Sequence, residues 1–340
     1  KLLSWKSRGA RDLLCRICLV SAISSALFTN DTTCVVLTEF VLKTARQQNL
    51  PPHPFLIALA SSANIGSSAS PIGNPQNLTI AVKSKISFGD FLFGILPAML
   101  MGVFVNALVL LCMYWKSLSV QKDVEDPSGE MVPLEDMTSH RFSPAIMSRH
   151  ESSSPSVHVE NEVIHQDTQK ISSKRSGYLV VIGMLISLFR GFNMSWSVIS
   201  AGLALVVLDF EDAEPCFEKV SYSLLTFFCG MFITVEGFNQ TEIPNTLWKF
   251  VEPHARIDHV GGIAVFAAVI LGLSNLSSNV PTVLLLGKLV DASSASAITG
   301  GNWNGNKAWL ILAWVSTVAG NFSLMGSAAN LIVCEQARRA

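Results

Sequence analysis

Apolar residues occur along this chain in long runs, unlike the short periodic patterns of soluble domains. Three runs approach the roughly 20 helical residues that cross a bilayer core of about 30 Å. These runs are Phe91–Trp115, Phe192–Phe210 and Val220–Val235. A shorter run, Tyr178–Phe189, is joined to the next by a tight turn at Arg190–Asn193. The pattern predicts an all-α polytopic membrane protein.

Four further apolar runs are interrupted near their middle by polar and helix-breaking residues: Leu13–Ala45, Phe55–Val82, Ile263–Val290 and Trp309–Val333. Unwound backbone at membrane depth is tolerated only where it is buried in protein or lines a cavity. We therefore expect the four interruptions to converge on one polar site.

The interruptions form two matching pairs, which indicates an internal repeat. "FTNDTTCVVLTEF" (28–40) resembles "LSNLSSNVPTVLLLG" (273–287), and aligning Asn30 with Asn279 also aligns Thr33 with Thr282. "SANIGSSASPIGNPQNLTIAV" (62–82) resembles "AGNFSLMGSAANLIV" (319–333). There Gly73 aligns with Gly326, Asn77 with Asn330 and Leu78 with Leu331.

Counting the crossings predicts inverted-topology repeats, each with a re-entrant helical hairpin and a broken transmembrane helix, and a site at their midplane interface. The hairpin arms, at about 15 residues each, are expected to be too short to cross the bilayer. The predicted segments are a first hairpin at 11–46, a broken helix at 54–84, a transmembrane helix at 90–115, a flexible loop at 116–176, three transmembrane helices at 177–236, a second hairpin at 257–291 and a second, truncated broken helix at 307–340.

The orientation follows from basic residues near the first hairpin. Lys6, Arg8 and Arg11 precede it, and Lys43 and Arg46 follow it. By the positive-inside rule this end is cytoplasmic, and the polar, Ser-rich loop 116–176 then lies in the cytoplasm too. Lys83 and Lys85 fall on the outer side and count against this orientation.

The interruptions are rich in uncharged hydrogen-bonding groups, and none of them contains Arg or Lys. A small neutral polyhydroxylated solute suits such a site, because each hydroxyl exchanges a water partner for a protein partner. Helix ends are also available, so anions stay open as ligands. The predicted substrate-binding residues are Asn30, Thr32, Thr33, Asn64, Ser67, Ser68, Gly73, Asn74, Asn275, Ser278, Asn279, Thr282, Asn321, Gly326, Ser327 and Asn330.

Asp31 is the acid at a hairpin tip, and two interpretations stay open. It could cap the following helix, as Asn30 also could, or it could be a proton-coupling carboxylate. Glu39, two turns further along roughly the same helix face, is the second predicted coupling residue. Glu236, at the end of a spanning helix, is an alternative.

Composition narrows the functional class. Hydrophobic residues make up 49% and charged residues 14% of the chain, and the mean hydropathy is +0.42; soluble domains carry about 25% charged residues. The net charge of −1 gives no reason to expect a nucleic-acid partner. With no phosphate-binding loop, metal-ligand spacing or nucleophile–base pair in the sequence, we expect neither an enzyme nor a bound cofactor or metal.

Several segments carry a family resemblance, among them "LFTNDTTCVVLTEFVLKTAR", "SSANIGSSASPIGNPQNLTIAV" and "LSSNVPTVLLLG". They resemble plant silicon efflux transporters of the low-silicon type, which are related to the bacterial arsenite permease in the ion-transporter superfamily. The resemblance covers nearly the whole chain. The family's Asn-Asp-Thr hairpin matches Asn30, Asp31 and Thr32, and its Gly-Asn-Pro break matches Gly73, Asn74 and Pro75.

The resemblance implies export of silicic acid, and of arsenite as a look-alike, by proton antiport at the plasma membrane. It also implies further helices before Lys1 and after Ala340, so we expect the chain to be part of a longer protein. The expected partners are the solute, protons and the lipid bilayer, and homo-oligomers stay open. The alternatives are a proton- or sodium-coupled carrier of another small solute or anion on the same scaffold, or a passive solute channel.

Overall fold

The computed structural model describes residues 9–119, 177–208, 222–255, 257, 259–297 and 305–339. Every regular element in these ranges is helical, which confirms the all-α class. The predicted loop 116–176 lies outside the described residues except at its start. The elements are α1 Ala10–Leu27, α2 Asn30–Gln47, α3 His53–Ser67, α4 Pro75–Ser84, α5 Phe88–Met113, α6 Trp115–Ser119, α7 Gly177–Phe189, α8 Met194–Leu208, α9 Tyr222–Gln240, α10 Ile243–Val251, α11 Val260–Ser277, α12 Asn279–Ala297, α13 Gly305–Ala319, a 3₁₀ turn at Leu324–Gly326 and α14 Ala328–Arg339.

Two helices of the described ranges are long and apolar enough to span a membrane, α5 with 26 residues and α11 with 18. Three shorter apolar helices lie at Gly177–Phe189, Met194–Leu208 and Asn279–Val290. Many large apolar side chains point outward, including Phe104 at 60% exposure and Ile233 at 73%. An apolar outer surface of this kind suits lipid and not water.

Each predicted hairpin is a pair of helices joined by a very short link. Phe28 and Thr29 connect α1 to α2, and Ser278 alone, at φ 74°, connects α11 to α12. The arms have 18 or 19 residues, so the expected length of about 15 was wrong. At 1.5 Å per residue an 18-residue arm is about 27 Å long, and re-entry of the hairpins stays a prediction.

Each broken helix contacts both hairpins, one with its first segment and the other with its second segment. The first segment of each, α3 or α13, packs against the hairpin that precedes it in the chain. The second segments do the reverse: α4 packs against α12 of the second hairpin, and α14 packs against α2 of the first. Each tip is thereby brought against a break, and the two breaks are brought together.

A small amphipathic helix, α10, was not expected from the sequence. Its Trp248 is buried and packs edge-on against Phe266 of α11, with ring centroids 6.0 Å apart. Leu247 and Phe250 remain exposed on its other face. This helix joins α9 to the second hairpin.

Candidate functional site

The tip of the first hairpin is bonded to the first break. The backbone N–H of Asn30 donates to the carbonyl of Gly73 at 3.1 Å. Its side-chain amide donates to Asn64 Oδ1 of α3 at 3.2 Å. The buried start of α2 is therefore held against both sides of the break.

Asn64 joins the two halves of the chain. Its Oδ1 accepts the hydroxyl of Ser327 at 2.6 Å, and its Nδ2 donates to Asn321 Oδ1 at 2.8 Å. Ser327 and Asn321 both flank the 3₁₀ turn of the second break. With only 1% of its surface exposed, Asn64 is a buried polar centre whose oxygen accepts two hydrogen bonds and whose amide donates one.

A reciprocal contact runs from the first break to α13. The amide of Asn74 donates to Ser67 Oγ at 3.1 Å and to Thr317 Oγ1 at 3.3 Å, while its Oδ1 caps α4 by accepting the N–H of Asn77 at 2.8 Å. Thr317, buried at 2% exposure, was missed by the sequence reasoning. The repeat could have revealed it, because the register that pairs Asn77 with Asn330 also pairs Asn64 with Thr317.

The two breaks also share their internal contacts. Asn77 donates its amide to backbone carbonyls 10 and 7 residues earlier, those of Ser67 and Ser70. Asn330 does the same 10 and 7 residues earlier, at Gly320 and Ser323. Each amide closes the unwound segment by binding backbone carbonyls on its far side.

Close backbone approach requires glycine in both breaks. A Cβ on Gly73 would overlap the Ser67 carbonyl, and one on Gly326 would lie 2.9 Å from the Gly320 oxygen. The tip of the second hairpin completes the cluster, because Asn279 donates to the Gly326 carbonyl at 3.1 Å. All four interruptions therefore meet through direct hydrogen bonds.

Some predicted residues lie at the edge of the cluster or outside it. Ser68 bonds the Ile65 carbonyl of its own helix, and Thr282 bonds the Ser278 carbonyl. Asn275 is exposed but reaches the Ala319 carbonyl at 3.3 Å. Thr32 and Ser278 are exposed at the hairpin tips.

The acids are placed differently from one another. The cap of α2 is Thr29, whose Oγ1 accepts the N–H of Thr32 at 3.1 Å, so the interpretation of Asp31 as the cap was wrong. Asn30 does bond the first turn, because its Oδ1 accepts the N–H of Asp31 at 2.9 Å. Asp31 is half-buried in the first turn, whereas Glu39 is exposed further along α2. Glu236 lies elsewhere, in an ion pair of 2.6 Å with Lys288 of α12.

Buried polar atoms without a partner mark where the cluster has free capacity. Among the described residues, Asp31 Oδ1, Asn279 Oδ1 and Thr33 Oγ1 are buried and accept or donate no hydrogen bond. The Asn279 oxygen is an acceptor, the Asp31 oxygen is an acceptor while the carboxylate is ionised, and the hydroxyl can act either way. Such groups are destabilising unless something fills their hydrogen-bonding capacity.

A groove of about 560 Å³ adjoins the cluster on one side. It runs between α3 and α14. Asn321, Ser323 and Asn330 line its inner end, and His53 and Arg338 line the other.

The chain matches the family model described as citrate transporter (CitMHS) over residues 1–319. It is 51% identical to the silicon efflux transporter LSI3 of Oryza sativa subsp. japonica, with 100% of this chain and 74% of that protein aligned. It is 29% identical to the transporter arsB of Dictyostelium discoideum, over 99% of this chain and 72% of that one. It is 25% identical to the P protein of Mus musculus, over 93% of this chain and 44% of that one.

These matches confirm the resemblance on which the sequence analysis relied, and they agree with an all-helical protein whose outer surface is apolar. They also indicate a transporter and not an enzyme. The chain belongs to the citrate transporter family of membrane transporters.

Proposed function

We propose that this protein is a secondary active transporter that exports silicic acid, and arsenite as a look-alike, by proton antiport. The observation that carries the proposal is the set of unpartnered buried acceptors, Asp31 Oδ1 and Asn279 Oδ1, in a cluster without a basic residue. Acceptors call for a ligand rich in O–H donors. Silicic acid and arsenous acid are small, neutral and covered with hydroxyls.

The substrate named for a relative agrees with this chemistry. The rice protein at 51% identity is a silicon efflux transporter, and the Dictyostelium relative at 29% identity is named transporter arsB.

Alternating access would come from the two halves acting as inverted repeats. In support, Asn64 of the first half bonds Ser327 of the second, and Thr317 of the second bonds Asn74 of the first. When the two halves are aligned so that Asn77 matches Asn330, the two residues of one contact match the two residues of the other, so each contact is the counterpart of the other. A pseudo-two-fold axis between the breaks accounts for this match, and transporters of this design bind substrate at such an axis.

The coupling residue in the proposal is Asp31. A neutral solute brings no charge, so the protein must bind the driving ion, and Asp31 is a carboxylate that directly follows Asn30 of the cluster. Glu39 remains the second candidate, although its exposed position on α2 separates it from the hydrogen-bonded network.

The main alternative is a proton- or sodium-coupled carrier of an anion on the same scaffold, which the citrate transporter family favours. It would need helix N-termini to neutralise the anion, because no Arg or Lys lies in the interruptions. A passive channel is less well supported, because the described interruptions meet in direct hydrogen bonds. In the cell we place the protein in the plasma membrane with loop 116–176 in the cytoplasm.

Proteoliposomes test the proposal. Silicic acid, arsenous acid, boric acid and citrate are offered in turn, with and without an imposed proton gradient. We expect the proton gradient to drive silicic acid uphill in the wild type. Citrate accumulation without silicic acid movement would favour the anion carrier, and silicic acid flux that only runs downhill would favour the channel.

Asp31→Asn then tests coupling, because the amide keeps the size of the side chain but cannot titrate. We expect it to abolish uphill transport and to leave downhill exchange partly intact. Asp90→Asn is the matched control: Asp90 is an exposed acid in the first turn of α5, bonded to Ser87, and its loss should leave coupling unchanged. Normal uphill transport by Asp31→Asn would transfer the role to another carboxylate.

A further inference from the structure

We propose that Asn106 of α5 is a positioning residue for the transport site. It lies outside all four interruptions, and the inference rests on the proposed transport function. Its helix is the most apolar spanning segment described, with a mean hydropathy of 2.4. After Asp90 in the first turn, Asn106 is its only side chain with a charge or an amide. Polar side chains inside membrane helices are costly, so such a residue calls for a partner and a role.

The partners of Asn106 are two adjacent serines on α3. Its Nδ2 donates to Ser61 Oγ at 2.9 Å and to Ser62 Oγ at 3.0 Å. Because both hydrogens of one amide are used, the contact fixes the rotation of α3 as well as its distance from α5. A single hydrogen bond would leave the rotation free.

The fixed turn of α3 carries the central contacts of the site. The Ser61 carbonyl accepts the amide of Asn321 at 3.3 Å, and Asn321 in turn accepts the amide of Asn64 at 2.8 Å. Asn64 follows Ser61 by less than one helical turn. A rotation or slide of α3 against α5 would therefore displace the Ser61 carbonyl and the Asn64 amide together.

The same face of α5 also meets the second half. Gly102, one turn before Asn106, faces both halves: a Cβ there would lie 2.6 Å from the Trp314 ring of α13 and 3.2 Å from Ile65 of α3. Gly94 faces Leu310 of α13 in the same way. The glycines let α5 approach both broken helices, and Asn106 sets the register of one of them.

The test compares transport parameters in proteoliposomes. Asn106→Leu keeps the volume but removes both donors, and Val105→Ala is the matched control, since Val105 is the preceding residue and 48% exposed. We expect Asn106→Leu to raise KM about three- to tenfold, with kcat and the thermal midpoint close to the wild type, because the site is displaced but still present. Val105→Ala should leave both parameters unchanged.

A mutant cycle separates positioning from general packing. If Asn106 acts through the two hydroxyls, Ser61→Ala with Ser62→Ala should raise KM by the same factor, and adding Asn106→Leu should change it less than twofold further. An unchanged KM in Asn106→Leu, or effects that multiply in the triple variant, would overturn the inference. KM is measured with whichever solute of the panel the wild type transports, so failure with silicic acid counts against the proposed function alone.

Discussion

At the scale of single residues, Asn64 is the side chain that joins the tip of the first hairpin to both breaks. It is bonded to Asn30, Asn321 and Ser327, which belong to the first hairpin and to both sides of the second break's turn. All three of these hydrogen bonds go to protein groups, so its role is to hold the tip and the breaks in place. The unpartnered Asp31 and Asn279 oxygens are better suited to contact solute directly.

Asn64→Ala should therefore damage both stability and transport. It leaves the groups on Asn30, Asn321 and Ser327 without partners, and each buried unsatisfied group costs about 1–3 kcal/mol. We expect the free energy of unfolding to fall by at least the cost of one such group, about 1–3 kcal/mol. We expect transport to fall at least about tenfold. Thermal unfolding in detergent and proteoliposome flux measure the two effects.

Asn193→Ala is the control for this prediction. Asn193 caps α8 away from the site by accepting the N–H groups of Ser195 and Trp196. Loss of a cap costs about 1 kcal/mol, yet transport should persist. If both variants lose transport equally, the effect of Asn64 is one of stability only.

Asn64 was predicted from the sequence and Thr317 was not, for a physical reason. Polar residues beside an unwound segment stand out in a sequence, and Asn64 stands among serines and glycines just before a break. Thr317 lies in the apolar helix α13 and donates to the Ala313 carbonyl one turn earlier, as many threonines in membrane helices do. Its contacts with Asn74, Gln76 and Asn77 reveal its place in the site.

At the scale of elements, the spacing between α1 and α3 depends on Gly66. A Cβ at this position would overlap the backbone of Ala22. We expect Gly66→Ala to separate the first hairpin from the broken helix and to cost several kcal/mol, the size of a severe overpacking change. Thermal unfolding and the yield of monodisperse protein measure the loss.

Gly202→Ala in α8 is the counterpart, because no atom lies within 4 Å of a Cβ placed there. Inside a helix, alanine is favoured over glycine by about 0.5–1 kcal/mol, so this variant should be neutral or slightly more stable. Equal stability of the two variants would show that α1 and α3 tolerate a wider separation.

Element type was more predictable than element length. Apolar composition and the polar interruptions led to the correct helical class. Arm length was underestimated because the tip residues Asn30 and Asn279 themselves begin the second arms, α2 and α12, and the links between arms are only one or two residues long. The amphipathic helix α10 was missed because it is too short to register among membrane-length runs.

At the scale of the whole molecule, the exchange of partners between halves makes a topological prediction. If the halves are inverted repeats, equivalent ends of α4 and α14 must lie on opposite sides of the membrane. Lys85 follows α4, and its equivalent under the register of Asn77 and Asn330 is Arg338, near the end of α14. Both residues are exposed. His53, which lines the same groove as Arg338, should lie on Arg338's side.

Single cysteines at these positions, in a background without the native cysteines, decide the matter. A membrane-impermeant thiol reagent should label Lys85→Cys only from outside intact cells, and Arg338→Cys and His53→Cys only in inside-out vesicles. The basic residues around the first hairpin assign that side to the cytoplasm. Labelling of Lys85→Cys and Arg338→Cys from one side would contradict inverted repeats. Labelling of Lys85→Cys from inside and Arg338→Cys from outside would be consistent with inverted repeats but would reverse the orientation. Loop 116–176 would then lie on the exterior.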